Sequence, residues 1–272
     1  MKELETIQAR REGPNTVDSL EQELRSAGLA PGMTVLLHSS LSSLGWVCGG
    51  PVAVILAFQR VLTDQGTLVM PTHSGDLSDP AQWEDPPVPE SWWGTIRNTM
   101  PAYRKDRTPS SRMGVIPETF RKMEGVVRSN HPQVSFAAWG NYKDYIIQDE
   151  HYDFAMNDQS PLGRLYELDG RVFLLGVGHD NNTSIHLAEY RAVWPSKLMI
   201  KNGMPILEEQ GKTVWREFDD IAYGGDDFKE LGAAFEKAYA IQPVQLGNAT
   251  CRFFRQRDLV DFAVTWIEKH RR

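Results

Sequence analysis

The sequence predicts an α/β fold, a single domain built on a mixed sheet flanked by helices. Three observations predict it. Short apolar runs suited to buried strands alternate with segments of helical period. The first of these runs form a strand–loop–helix–strand unit punctuated by Pro and Gly. The 272 residues carry 41% apolar and 24% charged side chains, the balance of one ordinary globular unit.

In chain order, residues 16–28 predict a first helix. Val17, Leu20 and Leu24 share a face, Thr16 can cap it and Gly28 can stop it. Pro31-Gly32 turns the chain into a strand over 34–38, and residues 51–62 read as a helix with Pro51 in its first turn. A second buried strand, 67–70, is ended by Pro71. Residues 72–112 are rich in Pro, Trp and Asp without sustained period, so they form an inserted loop, functional or lid-like, in a domain whose core runs over 16–268. Helices are expected over 116–123 and closing at 145–147, and a strand over 135–139. The third strong strand is 171–177, with a helix over 184–192 behind its loop. An antiparallel excursion spans 203–218, turning at Gln210-Gly211-Lys212. A helix over 228–240, a strand over 250–254 and a closing helix over 258–270 complete the chain, the last with Leu259, Phe262, Ala263 and Trp266 on one side.

The net charge of −7 argues against nucleic acid or an anionic membrane as partner, since both attract basic surfaces. It permits a cationic small molecule, although a solubility-selected surface has the same balance. Cys48 and Cys251 form no CxxC pair, so neither a disulfide framework nor a zinc knuckle is expected. The charged start Met1-Lys2-Glu3-Leu4-Glu5 precedes no apolar h-region, and no apolar run approaches membrane-spanning length. The expected location is cytoplasmic, and the chain is compatible with a homodimer.

Two runs carry the chemistry. The first is His38-Ser39-Ser40-Leu41-Ser42-Ser43-Leu44-Gly45-Trp46-Val47-Cys48-Gly49-Gly50, whose four serines and three glycines let a pyrophosphate approach main-chain N–H groups at a helix N-terminus. It has neither the Walker A lysine nor the Rossmann spacing. A plain Ser/Gly connection fits the same pattern. The second runs from Gly176-Val177-Gly178 through an Asp/Asn/Thr loop into a helix with His186 and Glu189 on one face. Histidine suits removal of a proton from an attacking amine, because its reference pKa is near neutrality. Thr183, one turn earlier, can donate to an oxyanion or thiolate. A metal pair or a capping histidine are the other readings, but no HExxH-type partner set accompanies it and no metal is expected.

Among the acidic groups, Asp76 follows the second strand, and Asp219-Asp220 and Asp226-Asp227 come later. Any of them could bind a polyamine or orient the imidazole, while solvated charges or caps are the ordinary alternative. Asp227 before Phe228 reads as a cap, and so does Asp158 before the short helix at Ser160-Pro161-Leu162-Gly163. His131-Pro132 reads as a turn that fixes the backbone.

Taken in order, His38-Ser39-Ser40-Leu41 with Gly49-Gly50, Gly66-Thr67-Leu68-Val69-Met70-Pro71, His131-Pro132 with Ser135-Phe136, Ser160-Pro161-Leu162-Gly163, and the run Leu174 to Glu189 give the chain its resemblance to a family. It resembles the aminoglycoside N3-acetyltransferases, also called antibiotic N-acetyltransferases, from about residue 19 to 262. The resemblance implies a coenzyme A fold distinct from the GNAT acetyltransferases, with acetyl-CoA as donor and no metal. It implies that His38, Ser39, Ser40, Leu41, Ser43 and Gly45 take part of the CoA, with the turn carrying Ser111 and Arg112 near its phosphates. His186 is then the base and Asp220 its orienting acid, a position often Glu in the family, with Asp219 one residue away as the alternative. Thr183 stabilises the developing charge, while Asp76 and Glu189 line the acceptor cleft. The expected reaction is direct transfer to an amine, the 3-amine of an aminoglycoside, without an acyl-enzyme. Another amine acceptor on the same scaffold, or a CoA-binding protein without catalysis, are the alternatives.

Overall fold

The computed structural model describes residues 13–148, 151–208 and 211–272. Helix α1 (Val17–Ser26) opens on a capping box, in which Thr16 Oγ1 accepts from the Ser19 N–H and Ser19 Oγ accepts from the Thr16 N–H. Strand β1 (Thr34–Ser39) leads through the Ser/Gly loop to α2 (Gly50–Leu62) and then β2 (Thr67–Pro71). The insertion that follows contains a short helix, α3 (Trp93–Thr99), and 3-10 turns at Pro80–Gln82 and Glu90–Trp92. Arg97 locks it by gripping the Asp79 carboxylate at 2.6 Å. Next come α4 (Val115–Phe120), β3 (Val127–Arg128), β4 (Phe136–Gly140) and the single turn α5 (Lys143–Ile146). After α6 (Pro161–Glu167) follow β5 (Arg171–Leu175), α7 (Ser184–Arg191), β6 (Met199–Leu207) and β7 (Thr213–Ile221). The chain ends in α8 (Phe228–Ala238), β8 (Val244–Leu246), β9 (Ala249–Arg255) and α9 (Gln256–His270).

Among the described residues, seven strands form one sheet of mixed direction, the type of sheet the sequence predicts, in the order β3-β4-β2-β1-β5-β9-β8. β1 pairs in parallel with β2 on one side and β5 on the other, and the remaining pairs are antiparallel. Residues alternate between two cores. Leu36, Val69, Val172 and Leu174 face α6 to α9, while Val35, Leu37, Leu68, Met70, Phe173 and Leu175 face α1, α2 and α4. Burial on both faces is why these strands read as continuous apolar runs rather than alternating ones.

The excursion near 203–218 is a separate two-stranded ribbon of β6 and β7, longer at both ends than expected. The anticipated turn residue Gln210 lies outside the described residues, as do residues 1–12. The strands β3 and β8 escaped the sequence reading because two or three residues carry no period. Two expected caps are occupied otherwise. Ser160 caps α6, with its hydroxyl accepting from the Leu162 N–H, and Asp158 reaches out to Arg191 instead. Asp227 makes no cap hydrogen bond to α8, because its carboxylate is held by both arms of the Arg271 fork.

Candidate active site

The carboxyl ends of β1, β2 and β5 open on the same edge, and β1 is the strand flanked by both partners. In open α/β sheets this switch point is where ligands bind. The loop after β1 (Ser40 onward) and the loop after β5 (176–183) lie side by side there, the Ser40 N–H donating to Leu175 O at 2.9 Å. Gly176 permits this approach. It has φ +62, and a Cβ at that position would lie 1.8 Å from Ser43 Oγ.

Three adjoining cavities fill this edge. A central one of about 260 Å³ is lined by His38, His73, Thr183, His186, Tyr223 and Phe228. On one side it shares Ser39, Arg112, Met113, Val177 and Asn181 with a cavity of about 700 Å³ that follows the Ser/Gly loop. On the other it shares His73, Arg112, Met113, Val134 and Tyr223 with a cavity of about 730 Å³ that contains Asp76, Glu84 and Asp85. The result is a passage with a hydroxyl-rich mouth and an acidic mouth, and histidines at its middle.

His186 stands on α7 between the rings of Tyr223 and Phe228, with centroids 4.9 and 5.0 Å away. Its Nδ1 donates to Glu189 Oε2 at 2.6 Å, which leaves Nε2 free to accept a proton. Glu189 is fully buried, and His186 keeps 17% of its side chain exposed. The second Glu189 oxygen, Oε1, accepts from Arg271 at 2.5 Å and from the Gly224 N–H at 3.1 Å. The sequence expectation gave this orienting place to Asp220 or Asp219. Asp220 instead accepts from the Tyr190 hydroxyl and from the Ile221 N–H, and burial raises its pKa. Asp219 is on the outer face of β7, paired with Lys201 at 2.8 Å. Glu189, expected in the acceptor cleft, is therefore the carboxylate on the imidazole. The i, i+3 spacing that put the two on one helix face was the signal for it.

The other expected residues divide between the cavities. Ser39, Ser40, Leu41, Gly45 and Arg112 line the hydroxyl-rich side. His38 faces the centre, its Nε2 3.4 Å from Thr183 Oγ1. Burial, then the nearby His179 and His186, hold its pKa down at about 3, so it is neutral. Ser43 turns away, donating to Ser40 O at 2.7 Å and facing the depression beyond Gly176. Ser111 belongs to the acidic side, where its hydroxyl donates to Asp76 Oδ2 at 2.5 Å. His73 was not singled out by the sequence, yet it lines both the central and the acidic cavity. Its pKa is lowered to about 3, first by burial and then by neighbouring His186 and His38. Ser39 Oγ and His73 Nε2 are buried without a hydrogen-bond partner. Two orphaned polar atoms at the cavity junction are what a site built for polar substrates leaves open. Cys251 is buried and its thiol is pushed up to about 11 by that burial, so it holds no nucleophilic thiolate near neutrality.

The fold and site are those of an α/β protein with two unlike cavities meeting at a carboxylate–histidine pair. The profile of the aminoglycoside 3-N-acetyltransferases matches residues 36–268, and the chain belongs to that family. It is 48% identical over 255 residues, 93% of each chain, to the SPbeta prophage-derived aminoglycoside N(3')-acetyltransferase-like protein YokD of Bacillus subtilis (strain 168). With aminoglycoside N(3)-acetyltransferase VII of Streptomyces paromomycinus it shares 34% identity, over 96% of this chain and 94% of that one. The crystal structure of YokD superposes with a TM-score of 0.94 at 46% identity, covering 98% of both chains. AAC-IIIb in binary complex with CoASH superposes at 0.83 with 27% identity, over 94% of this chain and 97% of its own. AAC-VIa bound to sisomicin does so at 0.85 with 26% identity, over 95% and 99%. Among the described residues no helix is long and apolar enough to cross a membrane.

Proposed function

We propose that this protein transfers the acetyl group of acetyl-CoA to an amine of an aminoglycoside, the 3-amine in the family's usual chemistry, in the cytoplasm. The observation that carries the reading is the Glu189–His186 pair at the junction of two unlike cavities. CoASH in AAC-IIIb and sisomicin in AAC-VIa are the two ligand classes those cavities suit. The hydroxyl-rich cavity, with Ser39, Ser40 and the guanidinium of Arg112, fits a pyrophosphate-bearing donor. Its inner end reaches the orphaned Ser39 hydroxyl. The acidic cavity, with Asp76, Glu84 and Asp85, fits a polycation.

Acetyl-CoA supplies the activated acyl group. The chain's own residues do the rest. Glu189 holds the imidazole with Nδ1 protonated, so His186 Nε2 takes the proton from the amine as it attacks. The Glu189 carboxylate stabilises the imidazolium formed, and as the C–S bond breaks the imidazolium returns the proton to the departing thiolate, so that CoA leaves as its thiol and His186 is neutral again. Thr183, at the N-terminus of α7, and neutral His38 line the same cavity as the imidazole, and a hydrogen bond from either would stabilise the negative charge that develops on the acyl oxygen. No cysteine is needed, which suits direct transfer in a ternary complex.

The test is His186→Ala, assayed by CoA thiol release with a panel of aminoglycosides and other amines. Loss of kcat on the order of 10²- to 10⁴-fold with CoA binding retained is expected. Near-wild-type turnover would remove His186 from the mechanism. Thioester consumption only with amines outside the aminoglycosides would move the acceptor to another class.

A further inference from the structure

Glu189, itself fully buried, is the centre of a charge cluster whose other, partly exposed members come from three different parts of the chain. Arg271, just past the end of α9, donates through Nη1 to Glu189 Oε1 at 2.5 Å. The same guanidinium grips Asp227 with Nε and Nη2, both at 2.8 Å. Its carbon lies 5.2 Å from the ring centroid of Trp194, and only 15% of the side chain is exposed. Lys197 Nζ donates to the carbonyls of Glu189, Tyr190 and Ala192 at 2.9 Å each, closing the end of α7 beside it.

We propose that Arg271 is a positioning residue for acyl transfer, clamping the Glu189 carboxylate so that its other oxygen is presented to His186. The inference rests on His186 being the base. Its physical basis is that one carboxylate carries two jobs on two oxygens. Oε2 takes the imidazole N–H, and Oε1 is fixed by Arg271 and the Gly224 N–H. With both oxygens engaged the carboxylate cannot rotate. The charges support the same arrangement. Glu189 and Asp227 bring two negative charges, Arg271 and Lys197 two positive, so the Glu189 charge is compensated within the cluster and its carboxylate is fixed by Arg271. Without Arg271, a fully buried carboxylate would face its imidazole with its other oxygen held by the Gly224 N–H alone, and the imidazole orientation would loosen with it. Among the described residues, Tyr223 is in ring contact with the imidazole, Asp220, His38 and His73 act on it from further off, and Arg112, Asp180, Asn182 and Thr183 line the same cavity.

The experiment compares wild type with Arg271→Ala and Arg271→Lys, measuring kcat and both KM values with acetyl-CoA and an aminoglycoside. The downfield proton NMR resonance of the His186 Nδ1–H, assigned by its loss in His186→Ala, is followed in the same proteins. Arg271→Ala should lower kcat on the order of 10- to 100-fold with each KM changed by less than about threefold, and shift or broaden that resonance. Arg271→Lys restores the charge but not the fork, and should recover part of both. Unchanged kcat with an unchanged resonance overturns the proposal. A rise in both KM values with the resonance intact also overturns it, because Arg271 is then only an anchor for α9. A displaced resonance with unchanged kcat overturns it as well, because the clamp then holds the imidazole without serving acyl transfer, whereas near-wild-type turnover of His186→Ala in the same assay would remove the reading on which the proposal rests.

Discussion

Replacing Glu189 by Gln isolates the one group that the imidazole, a half-buried arginine and a main-chain N–H all share. The carboxylate offers two acceptors to three donors, at 2.6 Å from His186, 2.5 Å from Arg271 and 3.1 Å from Gly224. An amide has a single oxygen. Whichever way the Gln is turned, its NH₂ meets a donor, either the imidazole N–H or the guanidinium. If the amide donates to Nδ1, the proton sits on Nε2 and the base is in the wrong tautomer, a fault that costs up to about 10⁴ in serine proteases. If it accepts there, the tautomer survives but the imidazolium loses its counter-charge. Turnover should therefore fall on the order of 10²- to 10⁴-fold. Arg271 keeps its two bonds to Asp227, so the stability cost is that of one charge-assisted hydrogen bond, about 1.5–3 kcal/mol, rather than that of an unpaired buried ion. The assay pairs steady-state kinetics with urea denaturation, using Asp220→Asn as the comparator. Asp220 serves Tyr190 and Ile221, so its variant should keep more turnover than Glu189→Gln. The reverse order would return the orienting role to Asp220 and refute the reasoning.

Two further outcomes are expected. His38 and His131 are held near 3 and 4 by burial, against about 6.5 in an unfolded chain. Below pH 6.5 the unfolded chain binds protons that the folded one refuses. Stability from these groups is thus complete above about 6.5 and lost as pH falls towards 4. Each should cost about 2 kcal/mol between pH 7 and pH 5. Urea midpoints at the two pH values measure the loss, and His131→Asn should shrink it by one such share. Asp76→Asn removes a carboxylate from the acidic cavity without touching His186. It should raise the aminoglycoside KM about tenfold, leaving the KM for acetyl-CoA and kcat within about threefold. An equal rise in the KM for acetyl-CoA would place Asp76 on the donor side instead.

The longer strands and helices and the Ser/Gly loop were legible in the chain because each is a local pattern. Apolar runs bounded by Gly and Pro make strands, a shared face over Val17, Leu20 and Leu24 makes a helix, and His186 and Glu189 three residues apart must be neighbours on α7. The order of five short motifs was enough to point to the family. Sequence spacing could not choose between Glu189 and Asp220, because both are carboxylates and the choice depends on where β7 runs relative to α7. The tertiary structure turns Asp220 onto Tyr190 and leaves the imidazole to Glu189. Distance along the chain likewise hides Arg271, 82 residues beyond the carboxylate it holds, and His73, which reaches the centre only because β2 lies beside β1. What the sequence determined by itself was therefore the longer elements of the sheet and its helices, and the family; the short strands β3 and β8 and helix α3 came only with the tertiary structure. Which acid meets which base was decided by packing, since a buried carboxylate goes to whichever donors the fold brings within hydrogen-bond reach.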